Sequence, residues 1–170
     1  MPLIDSEGSE VMGRPECLAR LAQAAHRNRI GRVGIAVSGA PHVVPVNFSY
    51  FDQTVLVRLS HGFLASEMED STVAFEVDEH DAATGTSWSV LVRGFCRRLS
   101  GEEVERAAGI LPEPVVASPG GLVFAIRTDV VSGRLVRRPG PRRGQEAGGG
   151  LSSRRTGSFA PGAGRPTAVQ

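Results

Sequence analysis

The sequence predicts a mainly β fold, a closed or nearly closed antiparallel barrel with helices packed outside it. Two observations carry this: the chain reads as a series of short alternating strands, and turn-length connections of the antiparallel kind join most of them. Ahead of the strands, "RPECLARLAQAAHRN" has Pro15 early and Cys17, Leu18, Leu21, Ala24 and Ala25 at helical spacing, which predicts an amphipathic helix over about 15–28. "RVGIAVSG" sets Val33, Ile35 and Val37 against Gly34, Ala36 and Ser38 as the first strand, and Gly39-Ala40-Pro41 supplies the turn.

The second strand alternates Val44, Val46, Phe48 and Tyr50, predicted inward, with Val43, Pro45, Asn47 and Ser49. Asp52-Gln53 turns the chain into a third strand, with Val55, Val57 and Leu59 inward and Thr54, Leu56, Arg58 and Ser60 opposite. A short helix follows from near Gly62 to Glu69, then a fourth strand, "TVAFEVD", with Val73, Phe75 and Val77 inward, and a loop, "EHDAATGT". "SWSVLVRGFCRRL" is a long strand with apolar residues on both faces and Gly94 as its bulge or bend. Ser100-x-x-Glu103 is a capping box that starts another helix, and "GLVFAIRTDVVSGRLV" supplies a last strand or two.

The 170 residues, 41% hydrophobic, suffice for one domain with a sizeable core. Its bounds are read as 14–137, between a flexible N-terminus at 1–13 and a disordered arginine-, glycine- and proline-rich tail at 138–170 that lacks the apolar residues to offset ordering entropy. Six arginines against Glu146 make that tail basic and leave the remainder mildly acidic, although the net charge is only +1. It lacks interleaved aromatics apart from Phe159, so a solvating extension and no nucleic-acid partner are expected. Cys17 and Cys96 have no ligand-type spacing, and no apolar run is long enough for a membrane span. A cytoplasmic protein with no membrane partner is the expectation. All 19 basic residues are arginine, which excludes lysine chemistry such as a Schiff base and leaves anion binding to arginine, hydroxyls and backbone N–H groups.

Two segments carry candidate chemistry. Arg58 and Ser60 close a strand just before a helix start, where a guanidinium fork, a hydroxyl and free N–H groups can cradle a phosphate; alternatively Arg58 pairs with a carboxylate such as Asp78 and Ser60 caps the helix. Val43, Pro45 and Asn47 present a face of small and polar groups over which a flat ring can meet backbone N–H and C=O; alternatively Pro45 merely protects an edge strand. "EVDEHD" gathers Glu76, Asp78, Glu79, His80 and Asp81, but alternation divides them between faces, and a solvated turn without metal is expected.

The order P-V-N-F, R-x-S-x-x-G, F-E-V-D and W-S-V-x-V-x-G, spread over roughly residues 15–135, resembles the pyridoxamine 5'-phosphate oxidase-like FMN-binding split β-barrels, in particular their nitroimidazole-resistance-like actinobacterial branch. The resemblance implies a six-stranded antiparallel split barrel that forms a homodimer with a flavin in each of two clefts between subunits. It further implies that Pro45, Val46 and Asn47 lie along the isoalloxazine ring, that Arg58 and Ser60 hold the phosphate, and that Trp88 and Ser89 approach from the long strand, of the same or of the partner subunit, unless Trp88 is an interface or core aromatic. Leu59 and Leu64 stand where relatives have threonine and lysine. That departure points to weaker FMN binding, or to a deazaflavin or haem in its place, with His61 a substitute positive charge or a haem ligand. The function this implies is oxidation or reduction of a small-molecule substrate through FMN. The rival reading, on the same scaffold, is a non-catalytic module that stores or senses flavin or haem.

Overall fold

The computed structural model describes residues 9–112 and 121–137, all of which belong to one unit spanning 1–138. The segment read as a disordered tail therefore lies outside the described residues. Eight strands and three helices run in the order β1 (Glu10–Met12), α1 (Arg14–His26), β2 (Ile30–Val37), β3 (Ala40–Phe51), β4 (Thr54–Leu59), α2 (Phe63–Met68), β5 (Ser71–Asp81), β6 (Thr86–Arg98), α3 (Gly101–Arg106), β7 (Leu122–Arg127) and β8 (Val130–Arg137), with a 3-10 turn at Ala108–Ile110. Strands β2 to β7 close an antiparallel barrel in the cyclic order β2–β3–β4–β7–β6–β5. The mainly β, six-stranded barrel expected from the sequence is the fold. Among the described residues no helix is long and apolar enough to cross a membrane.

Closure depends on β6 serving two partners. Its first part, Thr86–Arg93, pairs with β8, and its last residues, Cys96–Arg98, pair with β7. Where the partner changes, the Phe95 N–H donates to Asp129 Oδ2 at 3.1 Å, so the amide left over at the split is satisfied by a side chain, and this bond is the main cause holding the Asp129 carboxyl below its usual range. β1 adds to the outer edge of β8, which puts a strand inside the stretch expected to be flexible at 1–13.

Period-two alternation fills the barrel. Val33, Val46, Phe48, Val55, Val57, Val73, Phe75, Val77, Val90, Val92, Phe124 and Ile126 are buried, and Phe48 meets Phe75 edge-on with centroids 4.8 Å apart. Each fully buried side chain of this size contributes about 1.5–3 kcal/mol of transfer free energy. Cys17, Leu21 and Ala24 form the buried stripe of α1, which packs against β3 and β8, while Ala65 and Met68 seat α2 on β5 and β2. Burial pushes the Cys96 thiol up to about 12 and raises Cys17 as well, so both are inert core groups at neutral pH.

Three local expectations are corrected. The β2–β3 turn is Ser38-Gly39, both at positive φ (49° and 82°), and Ala40 and Pro41 already belong to β3. The stretch read as a loop from Glu79 is strand up to Asp81 and again from Thr86, and the short turn between is tied by Asp81 accepting from Ala83 N, Thr84 N and Thr84 Oγ1. Leu56, expected on the face away from the core, is 6% exposed, in one cross-strand row with Ser49 and Ala125.

The capping box forms as expected: Ser100 Oγ accepts from Glu103 N, and Glu103 Oε2 accepts from Ser100 N at 2.9 Å. Arg97 adds a bidentate contact at 2.7 and 3.0 Å, which together with the Ser100 N–H lowers the Glu103 carboxyl from 4.5 to about 2. Because the folded value lies below the unfolded one, the stabilisation is full above about pH 4.5 and fades as pH falls towards 2. Glu103→Gln is therefore expected to lower Tm at pH 7 and to converge on the parent protein in acid. A Tm gap that stays constant with pH would refute the assignment.

Candidate functional site

The site begins with an open edge. β3 pairs with β2 from Ala40 to Asn47, but β4 joins it only from Phe48 onwards, so among the described residues the first two-thirds of β3 have no strand partner on the β4 side. Pro45 fits here because its missing N–H takes no bond from a ladder. Outward along this edge stand Val43 (66% exposed), Pro45 (exposed) and Asn47 (half-buried). Val46, by contrast, is 1% exposed and turned into the core, so only its backbone is available to a ligand.

Continuing the Phe48↔Val57 register by one residue sets Asn47 beside Arg58, and Arg58 in turn lies opposite Val123 of β7. Arg58 Nε is buried and has no hydrogen-bond partner. Both ordinary explanations of this segment fail. Asp78 is engaged by Arg32 Nη1 at 2.6 Å, and α2 is N-capped by Gly62 with no side-chain cap bond, so Ser60 does not cap it. A Cβ at Gly121 would come within 3.1 Å of Arg58 Cγ, so the bare glycine makes room for the arginine stem. Beyond Arg58, a cavity of about 370 Å³ is lined by Leu59, Ser60, Gly62, Phe63, Leu64 and Ala65. Its leucines present no donor. His61 is exposed in the same loop.

The chain thus brings Val43, Pro45, Asn47, Arg58, Leu59, Ser60, His61 and Leu64 to one side of the barrel. It does not bring Trp88 and Ser89 there, because β6 stands opposite β3 in the closed strand order. Trp88 is 6% exposed, with the Arg20 guanidinium of α1 lying 5.4 Å from its ring centroid, so within one chain it is a core aromatic. Ser89, half-buried on the other face of β6, sits between Asp78 and Arg134. The acidic cluster is divided as well: Glu76 and Asp78 both bind Arg32, whereas Glu79 binds Arg29.

Several participants escaped the sequence reading. Phe63 is 59% exposed and meets His42 edge-on at 6.3 Å, linking the start of β3 to the start of α2. Gly121 is remote in sequence from Arg58, and nothing local announced it. A larger cavity, about 620 Å³, lies where the end of α1 and residues 109–112 approach β3; Asn47, Ser49, Tyr50, His26 and Arg29 help to line it. Ser49 Oγ is buried without a partner, and burial raises the Tyr50 hydroxyl. Ser49 could have been found, since it shares a face with Asn47.

A model of the family described as pyridoxamine 5'-phosphate oxidase matches residues 14–135. The chain is 31% identical over 129 residues to an uncharacterized protein of Mycobacterium tuberculosis, Rv0080, covering 72% of this chain and 82% of that one. It superposes on the structure of the FAD binding protein from Mycobacterium smegmatis with a TM-score of 0.61 and 28% identity, over 75% of this chain and 98% of that one. A FAD-binding protein from Mesorhizobium loti superposes with a TM-score of 0.59 and 23% identity, over 75% and 96% of the two chains, and bears on the fold alone. An open β3 edge beside Arg58, on a barrel closed by a two-partner strand, thus occurs in a chain that belongs to the pyridoxamine 5'-phosphate oxidase family.

Proposed function

We propose that the chain is a flavoprotein, an oxidoreductase that uses FMN or a deazaflavin on a small molecule and works as a homodimer whose two clefts lie between subunits. One observation carries the reading: the guanidinium of Arg58 has a buried, unpartnered Nε in a segment where its obvious carboxylate is taken. A buried donor without a partner costs about 1–3 kcal/mol, which an incoming anion recovers. Arg58 and Ser60 hold the phosphate, and the β4-side edge of β3 along Val43, Pro45, Val46 and Asn47 meets the polar edge of the ring. A flavin supplies hydride or electron transfer, so the protein's part is to bind, orient and limit access. The 28% identity to a protein described as FAD binding supports a flavin over other phosphorylated ligands. Exposed Ile30 and Phe63 beside the site supply apolar area that a partner subunit would cover, and that partner would present its own β6 to the ring.

Leu59 and Leu64 favour a second reading, a flavin- or haem-holding module without turnover, because a donor-poor anion end suits storage or sensing of a weakly held ligand. One experiment separates the two. The purified protein is denatured, any released chromophore is identified by mass, and the reloaded protein is assayed with a reductant and a nitroaromatic acceptor. Release of a flavin together with turnover is the expected outcome. A released flavin without turnover would select the storage module, and a colourless protein that takes up neither FMN, FAD nor a deazaflavin would overturn both.

A further inference from the structure

Among the described residues, every arginine except Arg58 and Arg93 donates to a carboxylate, carbonyl, amide or hydroxyl oxygen of the chain. Arg58 is accounted for above. Arg93 is exposed on β6, at one end of a straight row that crosses four strands: Val43, Gly34, Ala74, Arg93. The two central positions carry a hydrogen and a methyl group, so the sheet surface dips between Val43 and Arg93. With Ala36 and Thr72 in the adjoining row, this trough is open to solvent and offers about 330 Å³.

Nothing in the chain's own packing requires a glycine at 34. A Cβ built there meets Ala74 Cβ at 3.7 Å and His42 O at 3.9 Å, which are ordinary contacts. The bare position keeps the trough open. In the neighbouring row Arg32 is held by Glu76 and Asp78, whereas Arg93 forms no ion pair among the described residues. An anionic group entering the trough is therefore drawn to the Arg93 end, away from the apolar Val43 end. A guanidinium fork matches a planar carboxylate, and the apolar floor suits a flat or branched hydrocarbon body.

We propose that this trough binds a small monocarboxylate, its apolar body on Gly34 and Ala74 and its carboxylate on Arg93. Because Val43 borders both this trough and the β3 edge, the bound molecule is the second reactant of the flavin site; that assignment of role rests on the flavin reading, whereas the binding itself does not.

The test uses the full chain without added flavin, with benzoate, its neutral isostere benzamide and inorganic phosphate as probes in ligand-observed NMR. Benzoate is expected to bind saturably, benzamide about tenfold or more weaker, and phosphate not to displace benzoate. Arg93→Gln should weaken benzoate by a similar factor and leave flavin affinity and Tm unchanged, since Arg93 has no partner among the described residues to lose. Gly34→Val, which fills the trough with a good strand former, should exclude benzoate and benzamide alike. Absence of benzoate binding, equal binding of benzoate and benzamide, displacement by phosphate, or benzoate binding that survives either substitution would overturn the proposal. Saturable benzoate binding by a protein that takes no flavin would uphold the site and remove its role in flavin chemistry.

Discussion

Gly94→Ala is expected to unfold the barrel, with the largest stability loss of any single methyl added to this chain. A Cβ at position 94 would lie 1.7 Å from Arg127 O and 2.7 Å from Arg127 C, backbone atoms of the last residue of β7. Around this point β6 exchanges its β8 partner for β7, and the end of β7 lies directly against it. No rotamer can relieve an overlap with main chain, so β6 and β7 must separate, and with them the seam that closes the barrel. The cost is expected to exceed about 4 kcal/mol, a large part of the roughly 5–15 kcal/mol that holds a domain together. Gly101→Ala is the control: its Cβ meets nothing within 4 Å, and in the first turn of α3 alanine should be neutral or slightly stabilising. Urea unfolding midpoints decide the matter. A Gly94→Ala protein within about 1 kcal/mol of the parent would mean that the split is not closed as described.

Wherever a segment's fate was set by its own side chains, the sequence was easy to read. Val73, Phe75 and Val77 alternate without interruption and are all buried, because one face of β5 meets the core and the other meets solvent. The Ser100–Glu103 box is complete within four residues and forms as written. Legibility failed where long-range partners decide. Glu10–Met12 is too short and polar to announce a strand, yet β8 offers it an edge. Glu79 to Asp81 read as a loop because they are charged; Arg29 on Glu79 and the β5–β6 ladder keep them extended.

The candidate site divides along the same line. Alternation alone placed Asn47 and Arg58 outward, and the register sets them side by side. On β6 both faces carry apolar residues, so alternation did not decide which way Trp88 points; it shares the buried face of Val90 and Val92, and a place beside the ring would have to come from a partner subunit. Gly121, His42 and Phe63 join the site only through tertiary contacts, and no local pattern marks them. Arg93 could not be singled out from sequence either, because what distinguishes it is the lack of any partner among the described residues, where every other arginine but Arg58 has one.

Arg58→Ala is expected to weaken binding of a phosphorylated flavin roughly ten- to hundredfold while leaving riboflavin almost unaffected, the loss expected when a charge-assisted hydrogen bond of about 1.5–3 kcal/mol is removed. Leu59 and Leu64 offer no further donor, so of the two side chains that hold the phosphate only Arg58 brings a charge. Affinity for FMN should accordingly fall as ionic strength rises, and that salt dependence should be reduced in the variant. Arg58→Lys should recover only part of the loss, since a point charge on a flexible stem does not reproduce the planar fork. The apo-protein should lose little stability, because the substitution removes a buried Nε that has no partner to forfeit. Fluorescence titration of parent and variant with FMN and with riboflavin measures each effect. Equal losses for the two ligands would show that Arg58 shapes the cleft without reading phosphate, and would transfer the anion to another group on this face of the barrel.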